Sequence, residues 1–470
     1  MGVAADAIDM ANDPVGYFRG SDAAAHAVPR AEADALQLEG LRHRFATMRE
    51  QLPVLRSTAD EMGIARIDSL DDGARLLFPH TVYKSYPVSL LERNRFDQLT
   101  RWLSRLTTCD LGGVRTDDCR GIDDWLDALE RDSELALVHS SGTGGLISFT
   151  PRSKSDGKLK GSIFAMTTRE FFGLDAGAGA AGNDPYEAVF TGYRHGYGEA
   201  GRSVEWLFDH FAGSEERMHT LYPGRPSTDV MFMAARVRQA DARGEIGSLE
   251  IPEHLKARQA EFEETQRNAA QAIDRMFETL IGLRGRKVYL GGMTSVLVDF
   301  AQRGLARGLR DIYGSECVVQ TGGGAKGLVL PDNWEDIVLE FTGARRIAQY
   351  YAMSELMFMS GKCSEGHYHI QPWVVTYVLD PDTGVPRPRE GVQTGRAAFF
   401  DMAPQGYWGG FATGDQISVD WSPCACGRTT AHLHPQIQRL SELQGGDDKI
   451  TCAAAEQVHA AAIDFLTQIA

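Results

Sequence analysis

From Leu135 onward the sequence alternates short apolar runs with glycine turns and helical patterns, and this alternation limits the possible folds more than any other feature. LALVH, EAVFTG, RKVYLGG, ECVVQTGGG and ARRIAQYYAMSE read as strands, each followed by a glycine turn or by helical spacing. Strands alternating with helices imply a parallel or mixed sheet covered on both faces, an α/β fold. Residues 253–281 form the longest helical stretch. Before Leu135 the chain reads as mostly α. Residues 35–55 carry apolar positions three and four apart, 58–80 read as a short helix and a turn, and 87–107 and 121–131 again look helical. Residues 1–34, rich in Ala and Asp with weak periodicity, read as a flexible arm. From Tyr368 to Val419 short β-like runs are separated by DPDTG, PRPREG and GYWGG, as in a meander or a small distorted barrel.

Charge and cysteine content narrow the partners. Among 470 residues, 48 basic against 64 acidic give a net charge of −16. That field repels phosphate polymers and anionic membrane surfaces, so neither nucleic acid nor membrane is expected, although a local basic site for a small anion is compatible with it. No run of about 18 apolar residues suggests a membrane span. The N-terminus lacks a basic region followed by an apolar core. Seven cysteines without an export signal point to a reducing, cytoplasmic compartment, where their spacing matters more than their parity.

Four constellations carry chemistry. Ser140-Ser141-Gly142-Thr143-Gly144-Gly145 follows the strand LALVH. Such a turn lets backbone N–H groups converge on an anion while hydroxyls add donors. The same composition also makes ordinary surface turns. In Tyr350-Tyr351-Ala352-Met353-Ser354-Glu355 an aromatic pair could stack a base, and a hydroxyl and a carboxylate could hold a phosphate and Mg²⁺. The alternative is core tyrosines followed by a helix capped by Ser354. In Thr413-Gly414-Asp415 the carboxylate could accept two ribose hydroxyls, although Asp after Gly is common in turns. Cys363 and His369 in GKCSEGHYHI, with Cys424 and Cys426 in SPCACG, have the donor set of a closed, structural zinc site. His367 is the alternative nitrogen ligand, and buried reduced cysteines beside a surface histidine are the alternative reading.

In this order, and together with Thr321-Gly322-Gly323-Gly324-Ala325, these stretches resemble the adenylate-forming superfamily of acyl-CoA synthetases, firefly luciferase and peptide-synthetase adenylation domains. The phenylacetate–CoA ligase branch looks most similar, through PCACGRT (423–429), VFTGYRHGYGEAG (189–201) and the N-terminal helices followed by FPHTVYKS. Ser148-Phe149-Thr150-Pro151-Arg152 is also similar to a stretch in the acyl-protein synthetase of bacterial luminescence. The resemblance spans roughly 35–450 and implies ATP-dependent activation of a carboxylic acid to an acyl-adenylate. The acyl group would then pass to a partner nucleophile such as CoA, a carrier protein, an amine or a thiol. Carried across, Ser140 to Thr143 would hold the β- and γ-phosphates, Gly144 and Gly145 would belong to the same cofactor-binding turn, and Gly324 and Ala325 would line the adenine and acyl pockets. Tyr351 would flank the adenine, Ser354 would touch the α-phosphate, Glu355 would bind Mg²⁺ and Asp415 would bind the ribose. Tyr193, His195 and Tyr197 suggest polar, aromatic walls around an aryl or small acid. Relatives in this branch also look similar at the four zinc positions.

The chain departs from that pattern in several places. Leu146 and Ile147 follow Gly145 where Lys-Pro is usual; Lys154 and Lys158 lie downstream and could supply that charge or sit in a solvated loop. Ala352 replaces a usual glycine. The hinge reads Gln444-Gly445-Gly446-Asp447-Asp448 and lacks its arginine, so Arg428 or Arg439 would have to substitute. The 22 residues after Asp448 are much shorter than the usual lid domain. The expected division is therefore a flexible arm (1–34), a large domain (35–440) and a hinge remnant with a C-terminal helix (441–470), the lid being absent. The large domain divides into a helical portion (35–130), an α/β part (131–362) and a β meander with the zinc site (363–440). Cys452 would be an acyl acceptor or a tolerated helix-start cysteine. Expected partners are a small carboxylic acid, an acyl acceptor or separate lid protein, and a second copy in a homodimer. The alternative function is a non-catalytic nucleotide or acyl binder derived from such a ligase.

Overall fold

A computed structural model describes residues 2–140, 146–175, 178–179, 184–243, 252–322 and 330–443. Five strands form a wholly parallel sheet in the order Met218–Tyr222, Glu187–Tyr193, Val288–Met293, Val318–Gly322, Ile347–Ala348. Successive side chains in a strand point to opposite faces. Val189, Leu290 and Val319 accordingly enter one apolar core, with Phe277, Phe300 and Phe341 of the covering helices. Their neighbours Ala188, Tyr289 and Val318 enter another, with Phe164, Trp206 and Phe211. The sheet is thus buried on both faces, as the alternation of strands and helices requires.

The meander is present as Val374–Leu379, Val392–Asp401 and Gly410–Asp420, paired antiparallel in sequence. Short strands at Tyr368–His369, His432–Leu433 and Gln438–Arg439 extend it, and Phe78–Pro79 adds a parallel pairing. No pairing among the described residues closes this sheet into a barrel.

Residues 1–34 differ from the flexible arm expected. They form helices at Val3–Asn12, Pro14–Tyr17 and Asp22–Ala25, and Ala7, Met10 and Ala11 are wholly buried. The apolar spacing is helical, but alanine contributes so little hydrophobicity that the stripe is faint in sequence. Arg44, itself buried, donates to the carbonyls of Ala11 (2.8 Å) and Met402 (2.7 Å), locking this segment onto the meander. The helix expected over 35–55 is two helices, Arg30–Met48 and Pro53–Glu61. Pro53 has no N–H to continue the first helix and holds Leu52 extended, so it starts a new one. Of the C-terminal portion 441–470, only 441–443 lie within the described residues, at the end of the short helix Leu440–Leu443.

Candidate active site and metal centre

The carboxyl ends of the parallel strands open into a cavity of about 270 Å³, where open α/β sheets bind ligands. Its wall gathers Ser140, Tyr193, His195, Thr321, Gly322 and Ser354, from four separate stretches of the sequence. Ser140 follows the strand Val138–His139, and its hydroxyl accepts from the Ser148 N–H at 2.9 Å. Ser141, Gly142, Thr143, Gly144, Gly145, Gly324 and Ala325 lie outside the described residues, as does Cys452. Tyr193 stacks near Tyr222, with ring centroids 4.7 Å apart. Burial, with Arg194 beside it, lowers the His195 pKa, so the imidazole favours its neutral form.

Tyr197 does not reach this wall. It is buried in the helical core, where its hydroxyl bonds Asp127 and accepts from Arg225 Nη1 at 2.9 Å. An aromatic at this place in the motif serves packing because its strand-to-helix turn folds it inward.

Behind the wall lies a charged cluster of which the sequence alone marked only Arg152, at the end of the Ser148–Arg152 stretch. Arg152 and Lys160 are essentially sealed from solvent, and both pair with Glu199 on the cavity wall, Arg152 Nη2 at 3.0 Å. The same cations hold the 353–356 backbone. Arg152 Nη2 donates to the Ser354 carbonyl at 2.9 Å, and Lys160 Nζ donates to the carbonyls of Met353 (3.0 Å) and Leu356 (2.7 Å). Burial, together with Arg152, pushes the Lys160 ammonium down to about 8. The carboxyl of Glu199 is held below the usual range, because Arg152 and Lys160 outweigh its own burial. Asp401 completes the support, accepting from Met357 N and Phe358 N at 2.8 Å each. Helical spacing was the available signal for Lys160, since it falls one turn after buried Asp156 and one turn before Phe164 in Lys154–Phe172. Lys154 and Lys158 belong to that helix rather than to a solvated loop.

Ser354 lies in a turn, and no helix follows it that it could cap. Glu355 comes next, outside the cavity wall but within electrostatic reach of Glu199 and Lys160. Burial, reinforced by Glu199, raises its carboxyl pKa. A divalent cation beside it would favour the ionised form instead.

The paired tyrosines split between two surroundings. Tyr350 lines the cavity, whereas buried Tyr351 donates its hydroxyl to Asp415 Oδ2 at 3.1 Å. Asp415 Oδ1 takes Arg439 Nη1 at 2.8 Å, and the two residues face each other across paired strands. Arg439 therefore stands beside the late aspartate. Arg428 lies elsewhere, 3.7 Å from Asp22 near the metal cluster.

Cys363, His369, Cys424 and Cys426 offer ligand atoms that all lie within 4.8 Å of one another. His369 Nε2 is 3.3 Å from Cys426 Sγ. Zinc bonds of about 2.3 Å to sulfur and 2.0 Å to nitrogen would set tetrahedral ligand atoms about 3.6 Å apart, so the cluster fits the ion. Its cysteines sit on two tight turns, with Gly366 N–H bonding the Cys363 carbonyl and Gly427 N–H bonding that of Cys424, each at 2.9 Å. Both glycines adopt positive φ (79° and 90°), which a side chain would strain. Thr430 Oγ1 is 3.4 Å from His369 Nδ1 and 2.8 Å from His26 Nδ1, with Asp22 3.4 Å beyond His26. Such outer partners orient the ring so that Nε2 faces the cysteine sulfurs, as a metal ligand would. His367 Nδ1 lies 3.4 Å from Cys424 Sγ, so it remains in range as an alternative ligand.

Among the described residues, no helix is long and apolar enough to cross a membrane. No protein-family model and no curated protein matches the sequence. Solved structures do match. An open conformation of 2-hydroxyisobutyryl-CoA ligase, in complex with 2-HIB-AMP and CoA, superposes with a TM-score of 0.50 and 15% identity, covering 88% of this chain and 71% of the ligase. The same ligase in its post-adenylation state gives 0.49 at 15% identity, covering 89% and 73%. ATP-bound MatB from Rhodopseudomonas palustris gives 0.35 at 13% identity, covering 66% and 51%. The first of these likenesses is one of fold: the chain has the mixed α/β architecture of an acyl-CoA ligase.

Proposed function

We propose that this protein activates a carboxylic acid with ATP, forming an acyl-adenylate and pyrophosphate, in the manner of the phenylacetate–CoA ligase branch. The observation that carries the proposal is the convergence of Ser140, the Thr321–Gly322 strand end and the Ala352–Ser354 turn on one cavity, with Tyr351, Asp415 and Arg439 joined beside it.

A carboxylate is a poor electrophile, and it becomes one when its oxygen displaces pyrophosphate from the α-phosphorus. Catalysis of such a transfer consists mainly of positioning and charge stabilisation. In this proposal the Ser140–Gly145 turn binds the β- and γ-phosphates, and Gly324 and Ala325 lie along the adenine and acyl pockets. Ser354 donates to the α-phosphate, Tyr351 flanks the adenine, and Asp415 holds the ribose hydroxyls with Arg439 beside it. Glu355 would hold Mg²⁺, which neutralises phosphate charge when bound. Arg152, Lys160 and Glu199 act indirectly, by fixing the turn that carries Ser354. Phe190, Tyr193, Trp206 and Met231 give the acid end of the cavity apolar walls, which favours an aryl or small branched acid. The acyl group then passes to CoA, a carrier protein, an amine or a thiol. Zinc at Cys363, His369, Cys424 and Cys426 is structural here, because four protein ligands leave no open position.

The test is to incubate the protein with ATP, Mg²⁺ and a panel of aryl, branched and fatty acids, following pyrophosphate release and hydroxamate formation with hydroxylamine. Acid-dependent signal that falls at least a hundredfold in Glu355→Ala is expected. No signal above that variant with any acid would overturn the proposal.

A further inference from the structure

We propose that Asp420, His432 and His434 bind a second divalent first-row transition-metal ion beside the cysteine-rich centre. Residues i and i+2 of an extended segment share a face, so His432 and His434 project together. Asp420 is the cross-strand partner of His432, and His434 N–H continues the ladder to the Ser418 carbonyl at 2.9 Å. The register thus gathers a carboxylate and two imidazoles whose ligand atoms all lie within 4.8 Å of one another. His432 is only 3% exposed, and its Nδ1 has no hydrogen-bond partner among the described residues. A buried ring nitrogen left unpaired is costly, and a metal bond satisfies it. Asp420 spends Oδ1 on Ser422, accepting from its N–H at 2.8 Å and its hydroxyl at 2.7 Å. These bonds fix the carboxylate, which offers the cluster one ligand atom.

Two imidazoles and one carboxylate suit borderline divalent ions such as Zn²⁺, Co²⁺ or Fe²⁺. Three protein ligands leave at least one coordination position for water or another small ligand, unlike the four-ligand centre next to it. The two sites abut: the His432 ring centroid is 5.2 Å from that of His369 and 4.7 Å from that of His367. Asp420 ends the strand that carries Asp415, so an ion held here stiffens the strand bearing the proposed ribose ligand.

Full-length protein without a histidine tag, stripped by chelator and titrated with Co²⁺, separates the two sites. The cysteine-rich centre gives an intense thiolate-to-cobalt absorption, whereas a nitrogen–oxygen site adds only weak bands. Wild type is expected to retain two equivalents after desalting. Asp420→Asn and His434→Ala, both at part-exposed positions that folding tolerates, are each expected to weaken the second equivalent at least tenfold while keeping the thiolate absorption. Wild type saturating at one equivalent overturns the proposal. So does a second equivalent that survives in the double variant, or one lost in His367→Ala but kept in His434→Ala, which would place the ion among His367, Cys424 and His432.

Discussion

At the mouth of the parallel sheet, Ser140, Glu199, Thr321 and Ser354 arrive from four separate stretches of chain, whereas the cysteine–histidine cluster draws its four ligands from two compact turns, 363–369 and 424–426. The cavity therefore depends on long-range register, and its geometry is held by buried charges behind it. The cluster would depend on a cation to hold together ligand atoms that two turns already bring within 4.8 Å of one another. Perturbing one region should leave the signature of the other recognisable, and that separation can be tested.

Metal removal should have the largest effect. Chelation, or Cys363→Ser, is expected to lower unfolding free energy by about 4 kcal/mol when free zinc had exceeded its dissociation constant a thousandfold. Loss of hydrogen-exchange protection should centre on the meander and on the helix Asp22–Ala25, which reaches His369 through His26 and Thr430. A loss centred on the parallel strands instead would break the comparison.

Next is Glu199→Ala, which leaves Arg152 and Lys160 buried without their carboxylate. Removing one member of a buried pair typically costs 3–5 kcal/mol, and the cavity edge places this case at about 3 kcal/mol. Denaturant unfolding measures it, and a loss below about 1 kcal/mol would show that the cluster does not hold the 353–356 turn. Metal content should be unchanged.

Tyr351→Phe removes one hydrogen bond to a charged group, worth about 1.5 kcal/mol. It should raise KM for ATP more than it lowers kcat, since the proposed roles of Tyr351 and Asp415 are at the nucleoside and not at the reacting phosphorus. An effect confined to kcat would sharpen the assignment away from ribose binding.

The smallest effect is on pH dependence. Lys160 titrates near 8 in the fold, below its ordinary 10.5, because burial and Arg152 disfavour its charge. Between those values the unfolded chain keeps the proton that the fold has released, so this group's contribution to stability rises with pH, by at most about 1.4 kcal/mol per unit. The stability difference between wild type and Lys160→Met should grow in wild type's favour across that window. A flat difference would mean that Lys160 keeps its charge throughout.

Much of this was readable in sequence, for identifiable reasons. Alternating strands and helices gave the two-faced parallel sheet, because apolar runs such as VYL can only be buried on both sides. The Cys/His cluster was legible because each of its two ligand pairs sits in one short turn and because the same positions look similar in the family the chain resembles; that the two turns meet is a tertiary fact. Register was not readable: whether Arg428 or Arg439 stands beside Asp415 depends on which strand pairs with Gly410–Asp420, and that is a tertiary fact. Tyr197 was placed in the cavity because its motif continues unbroken from Tyr193, yet the turn folds it into the helical core. Arg152 and Lys160 look like surface cations by composition, and only the helical phase of Lys160 relative to Asp156 and Phe164 marks one of them as buried. The N-terminal helices were hidden by the weak hydrophobicity of their alanines.

In the proposed function, separated segments of this chain enclose one nucleoside triphosphate. A crystal structure with a non-hydrolysable ATP analogue and Mg²⁺ tests it directly. The account predicts triphosphate density against Ser140 and the turn after it, α-phosphate at Ser354, and ribose hydroxyls on Asp415. A nucleotide bound elsewhere on the molecule, or a cavity that excludes it at saturating concentration, would contradict the account.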